Sequence, residues 1–150
     1  MASTRGACAP QTNPHVIVAP TLLSVLSPDC YWQFQMKTLG IIGGVGPEST
    51  IQYYRTIIAL YREQKNDGSY PQLIINSIDL TRGMDLLAAN DLAGEAAYLL
   101  DEIQKLARAG ADFGLIAANT SHIVFDELSA KSPIPLISIV EVSCRAATKY

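Results

Sequence analysis

Three polar side chains in a row, Asn119, Thr120 and Ser121, follow directly on an apolar run from Gly114 to Ala118. One amide and two hydroxyls can donate and accept hydrogen bonds, and the same residue types also open helices. A short apolar run bounded by small and polar residues reads as a strand buried on both faces of a parallel sheet. In open α/β sheets, ligands lie beyond the carboxyl ends of the strands, where amides of the next helix point outward. The triplet therefore reads as an anion-binding cluster or as a plain helix cap, and its spacing alone does not separate the two.

A second candidate is the glycine turn Gly43-Gly44-Val45-Gly46-Pro47-Glu48 after the run Leu39 to Ile42. Backbone amides of Gly44, Val45 and Gly46 can approach a carboxylate or phosphate closely. With Ser49 at the third glycine position, the turn is one substitution from a dinucleotide fingerprint. Asp79, at the end of the next apolar run, would be the ribose-binding acid. It falls 33 residues after Gly46, against the usual spacing of about 20. The competing reading is a tight strand-to-helix turn. His122 and Asp126 share a helix face at i, i+4, and two such groups without a third fit a hydrogen-bonded structural histidine better than a metal site. No metal is expected. Asn119-Thr120-Ser121 also matches a glycosylation sequon, but it follows an apolar strand and no secretory signal is evident. Cys144, on an amphipathic stretch, reads as buried filler rather than a nucleophile.

The elements that must position these groups alternate in kind. Leu39 to Ile42 is a first strand, and Pro47 suits the first turn of the helix after it, where Glu48 complements the dipole. Ile51, Tyr54, Ile57, Ile58 and Tyr61 recur at helical spacing and predict its apolar face. Asn66-Asp67-Gly68 ends it, and Leu73 to Ile75 is the second strand. A polar loop is expected through Thr81, Arg82 and Gly83. A long helix then runs to Ala109 with Leu92, Ala96, Leu99, Ile103 and Leu106 on one face, closed by Gly110. Phe113 to Ala118 is the third strand, and a helix through Ile123, Phe125 and Leu128 follows. Pro133 to Ile139 is the fourth strand, and another helix begins near Glu141. This order predicts βαβ units: a four-stranded parallel sheet, Rossmann-like or flavodoxin-like, with helices on both faces.

The 150 residues suit one domain, and 49% hydrophobic content with mean hydropathy +0.17 can fill a core. A net charge of −3 with no Lys/Arg block argues against nucleic acid and an anionic membrane surface as partners. No apolar run approaches the roughly 18 residues of a membrane span. Three cysteines without C-x-x-C spacing point away from disulfides and toward a reducing, cytoplasmic setting. Residues 1–35 differ from the rest: only Arg5 and Asp29 are charged, and Pro10, Pro14, Pro20 and Pro28 interrupt the stretch. They read as an extension of unknown role with Met36 as a start, and organelle targeting is the weaker alternative.

The stretch from Met36 to Thr50 resembles the start of the aspartate/glutamate racemase family. Gly110-Ala111-Asp112-Phe113, Asn119-Thr120-Ser121-His122 and Ile134 to Ile139 are similar to its later blocks, in order. The resemblance covers Met36 to Tyr150. It implies the N-terminal half of a two-domain fold of isomerases that racemise amino acids with two thiols and no cofactor, one thiol per half. It further implies that Asn119, Thr120 and Ser121 bind the substrate carboxylate and that Gly44 and Val45 line the cleft. Arg82 would meet a side-chain carboxylate. Where the family usually has its first catalytic cysteine, this chain has Ala118, and Thr120 is the weak substitute. A binding-competent but catalytically incomplete chain is expected, and so is self-association through faces the second half would cover. A non-catalytic amino-acid or anion-binding module and a nucleotide-binding domain remain the alternatives.

Overall fold

A computed structural model of the chain describes residues 37–148. The segment 1–35, with Met36, Cys8 and Cys30, lies outside the described residues. Four parallel strands, β1 (Leu39–Gly43), β2 (Leu73–Ser77), β3 (Phe113–Ile116) and β4 (Leu136–Ile137), lie in the order β2-β1-β3-β4. The connecting helices are α1 (Pro47–Lys65), α2 (Leu80–Ala88), α3 (Leu92–Arg108), α4 (Phe125–Lys131) and α5 (Ile139–Ala147). A 3-10 turn, Thr120–Val124, precedes α4. In register, Leu39 pairs with Leu73 on one side and Phe113 on the other. This is the α/β sheet that the alternation of elements predicts.

Side chains alternate across the sheet and divide the interior in two. Leu39, Ile41, Phe113 and Leu115 pack with Tyr53 of α1 and Ile139 and Val142 of α5. Ile42 and Ile116 face the other way, onto Leu99, Ile103 and Leu106 of α3 and Leu128 of α4. Leu99 and Ile103 are 1% and 0% exposed, a degree of burial that contributes about 1.5–3 kcal/mol per side chain. Gly40 lets α3 approach closely, since a Cβ there would come within 3.0 Å of Ala111 and Leu106.

Several local expectations are corrected. The stretch around Arg82 is the first turn of helix α2, capped by Asp79, whose carboxylate accepts from the Thr81 amide at 2.9 Å. A second cap, Asp91, separates α2 from α3. Helix α1 turns Thr50 and Tyr53 inward, while Ile51 and Tyr54 are exposed. Its roll is set by the Thr50 hydroxyl, which accepts the Gly44 amide at 3.1 Å. Strand β3 ends at Ile116, two residues earlier than Ala118. Strand β4 keeps only two residues, because Pro133 and Pro135 carry no N–H for a ladder. Helix α5 starts at Ile139, with the Ser138 hydroxyl accepting from the Glu141 amide. Cys144 is exposed on α5 rather than buried. No helix among the described residues is long and apolar enough to cross a membrane.

Candidate functional site

After β1 the chain goes to β2 on one side, and after β2 it crosses to β3 on the other. The carboxyl ends of β1 and β3 thus form a topological switch point, where neighbouring loops diverge and leave a crevice. A cleft of about 660 Å³ lies there. Its walls are the turn after β1 with the first turns of α1, the residues Ala117 to Ser121 after β3, one side of α2, and the start of α3.

The turn after β1 is shaped by two glycines. A Cβ on Gly43 would meet Thr50 at 2.5 Å, and one on Gly44, at φ +85°, would meet the Ile78 carbonyl at 2.3 Å. The Gly44 amide is engaged by Thr50, and Gly44 does not line the cleft, whereas Val45 and Gly46 do. The amides of Ser49 and Thr50 close onto the Gly46 carbonyl. The amides at Gly46 and Glu48 have no acceptor inside the helix and carry its positive dipole end, with Val45 just before them. A ligand carboxylate can be held on this side.

Across the cleft the 3-10 turn presents Asn119 and Thr120 as exposed side chains. Ser121 is different: 2% exposed, its hydroxyl lies 3.5 Å from Glu95 Oε1, the long limit of a hydrogen bond. Ala118 lines the cleft at 9% exposure, between the strand and this turn. His122 fixes the turn from beneath. Its Nε2 accepts from the Ile139 amide at 3.2 Å, so Nδ1 carries the proton and donates to the Ala118 carbonyl at 2.8 Å. Burial holds its pKa below the usual imidazole range, with the Ala118 carbonyl and Glu141 acting against that shift. Both ring nitrogens are engaged, which leaves none for the pairing with Asp126. Among the described residues no group of three His, Cys, Asp or Glu side chains could hold a metal ion.

Arg82 does not line the cleft; its guanidinium lies 4.5 Å from the centre of the Tyr98 ring. Asp79 reaches the rim, but its carboxylate is engaged in capping α2. The structure thus brings Val45, Asn119, Thr120 and Ser121 to one cleft and leaves Gly44 and Arg82 off its surface.

Two lining groups were not singled out from the sequence. Tyr53 is 6% exposed, and its hydroxyl is buried without a partner; burial pushes its pKa up to about 12. Glu95, 1% exposed, has an oxygen, Oε2, with no hydrogen-bond partner. Burial raises its carboxyl pKa above the usual carboxylate range, and the Ser121 hydroxyl acts in the opposite direction. A signal for Glu95 existed: it falls four residues before Leu99, on the apolar stripe of α3, where an acid is out of place.

Comparison with known proteins shows what the chain is similar to. Residues 42–150 match the Asp/Glu/Hydantoin racemase family. The broad specificity amino-acid racemase RacX of Bacillus subtilis is 29% identical over 106 residues, 69% of this chain and 46% of that protein. The crystal structure of an aspartate racemase homologue from Pyrococcus horikoshii superposes with a TM-score of 0.68 at 37% identity, covering 76% of this chain and 50% of that one. The chain therefore spans about half the length of the relatives it matches. It belongs to the Asp/Glu/Hydantoin racemase family.

Proposed function

We propose that the cleft at the β1–β3 switch point binds a free amino acid of the aspartate or glutamate type and forms one side of a racemase site. The observation that carries this reading is the facing pair of donor sets. Asn119 and Thr120 line one wall, and Val45, Gly46 and Glu48, at the start of α1, line the other. Donors converging from two sides suit the α-carboxylate, and they would also stabilise the negative charge that develops when the α-proton leaves.

Racemisation removes a proton from one face of the α-carbon and returns it on the other, so it needs an acid–base group on each face. The resemblance places a thiol at position 118, where the methyl of Ala118 carries no proton. The Thr120 hydroxyl is a weak substitute, and it needs an activating neighbour to serve as a base. The chain on its own is therefore binding-competent and catalytically incomplete. Ala118 equally favours a second reading, a module that binds amino acids without transforming them. The proton chemistry proposed for the full site is direct transfer without a cofactor.

Incubating the chain with D- and L-aspartate and glutamate in deuterated water separates these readings by nuclear magnetic resonance. Saturable binding with an α-proton that stays in place is the expected result. Absence of binding by all four would overturn the reading, and α-exchange would overturn the claim of incompleteness.

A further inference from the structure

Resting on the amino-acid reading, we infer that Glu95 is a ligand-contacting residue of the cleft, whose carboxyl receives an ammonium group. Oε2 of Glu95 is buried and unpartnered in the wall of a cleft whose other donors suit carboxylates. A desolvated carboxylate is costly unless a cation or several donors meet it. None of the lining side chains is cationic: the formally charged ones are Glu48, Asp79 and Glu95. Asp79 is engaged with the Thr81 amide, and Glu48 is exposed at the opening of α1.

The surroundings of Glu95 support the same role. On its own helix the Asp91 carboxylate is engaged with the Gly94 amide. From α2, Arg82 lies over the Tyr98 ring, and Gly83 faces Glu95, where a Cβ would stand 3.4 Å from Oε2. From the turn after β3, Ser121 offers a single long contact, and the nitrogens of His122 are engaged elsewhere. Helix α2 comes close to the carboxyl through Gly83, and none of its own residues is fully buried. An amino acid would then lie with its carboxylate toward Asn119 and the α1 amides and an ammonium toward Glu95. Burial raises the pKa of this carboxyl in the empty cleft, and an arriving ammonium ion acts in the opposite direction, so binding draws proton occupancy off it into the buffer.

The test uses the full chain and three ligands of equal carbon number: glutamate, 5-aminopentanoate and glutarate, which carry an α-ammonium, a terminal ammonium and none. At least one amine-bearing ligand is expected to bind about tenfold or more tighter than glutarate. Which one does so identifies the ammonium that is received. Glu95→Gln keeps the shape and is expected to bring the ratio of amine-ligand to glutarate affinity down to about twofold or less. Calorimetry in buffers of different ionisation enthalpy adds a readout that does not depend on the variant. Wild-type protein should release protons on binding an amine ligand at pH values near the carboxyl's own pKa, and none with glutarate. A Glu95→Gln protein that retains the amine preference, or wild-type binding without proton release, overturns the role of Glu95. If Asn119→Ala still weakens glutarate binding in that case, the amino-acid reading survives alone. If none of the three ligands binds wild-type protein, both fall.

Discussion

Replacing Thr50 by valine removes one oxygen from the centre of the site's scaffold. Thr50 is 8% exposed, and its hydroxyl accepts the Gly44 amide at 3.1 Å. Valine fills both γ positions, so packing against Gly43 is retained and only the acceptor disappears. The Gly44 N–H is then left buried without a partner, a loss of about 1–3 kcal/mol. For a domain of this size that corresponds to a drop in Tm of roughly 4–12 °C. Thr50→Ser is the control: it keeps the oxygen and loses one methyl, at about 0.5–1.5 kcal/mol. Calorimetric melting gives the stability of both, and glutamate titration gives the state of the turn. Valine is expected to weaken both Tm and affinity, and serine only Tm. A Thr50→Val protein with the melting temperature and affinity of wild type would refute the view that this hydrogen bond sets the roll of α1.

The remaining predictions concern charge, chemistry and assembly. Because the His122 pKa is held below its ordinary value of 6.5, its contribution to stability is present above that pH. It is lost as pH falls from there through the folded-state pKa; His122→Gln should flatten this limb of a denaturation-midpoint profile. Ala118→Cys supplies one thiol beside the bound α-carbon, and one base can remove and return a proton only on its own face. The variant should exchange the α-proton of one enantiomer with retention of configuration, read by deuterium incorporation and chiral chromatography; exchange of both enantiomers at equal rates would contradict the geometry. Met84 on the cleft lining and Ile123 on the 3-10 turn are 51% and 64% exposed, and apolar surface of this kind favours association. Light scattering should show a mass that rises with concentration, and a strictly monomeric chain at high concentration would count against it.

Much of the framework was legible because local chemistry and tertiary packing agree in it. Pro47 stands at the first helical position, Gly110 has φ +98° just past the Ala109 cap of α3, and the buried strands β1 and β3 carry continuous apolar runs. The place of the Asn119 triplet, just beyond the end of an apolar strand, was legible for the same reason, whereas the strand order that makes a switch point there was not. What the sequence hid depends on partners distant along the chain. The roll of α1 rests on one hydroxyl meeting one amide, so periodicity selected Ile51 and Tyr54 where the structure buries Thr50 and Tyr53. Helix α2 has no buried residue to impose a pattern, and Thr81, Arg82 and Gly83 therefore read as a loop. Ser121 and Glu95 meet across 26 residues, a separation that no local window spans. Cys144 lies on the outer side of α5, whose buried positions are Ile139, Val142 and Ala146.

The most direct test is the affinity of the full chain for glutamate and aspartate before and after Asn119→Ala and Thr120→Ala, alone and together. Both side chains are exposed on the cleft wall, so their removal leaves folding intact. Loss of two donors to a carboxylate should weaken binding by about 10- to 100-fold in the double variant. Unchanged affinity, with the fold verified by its melting curve, would contradict the assignment of this cleft.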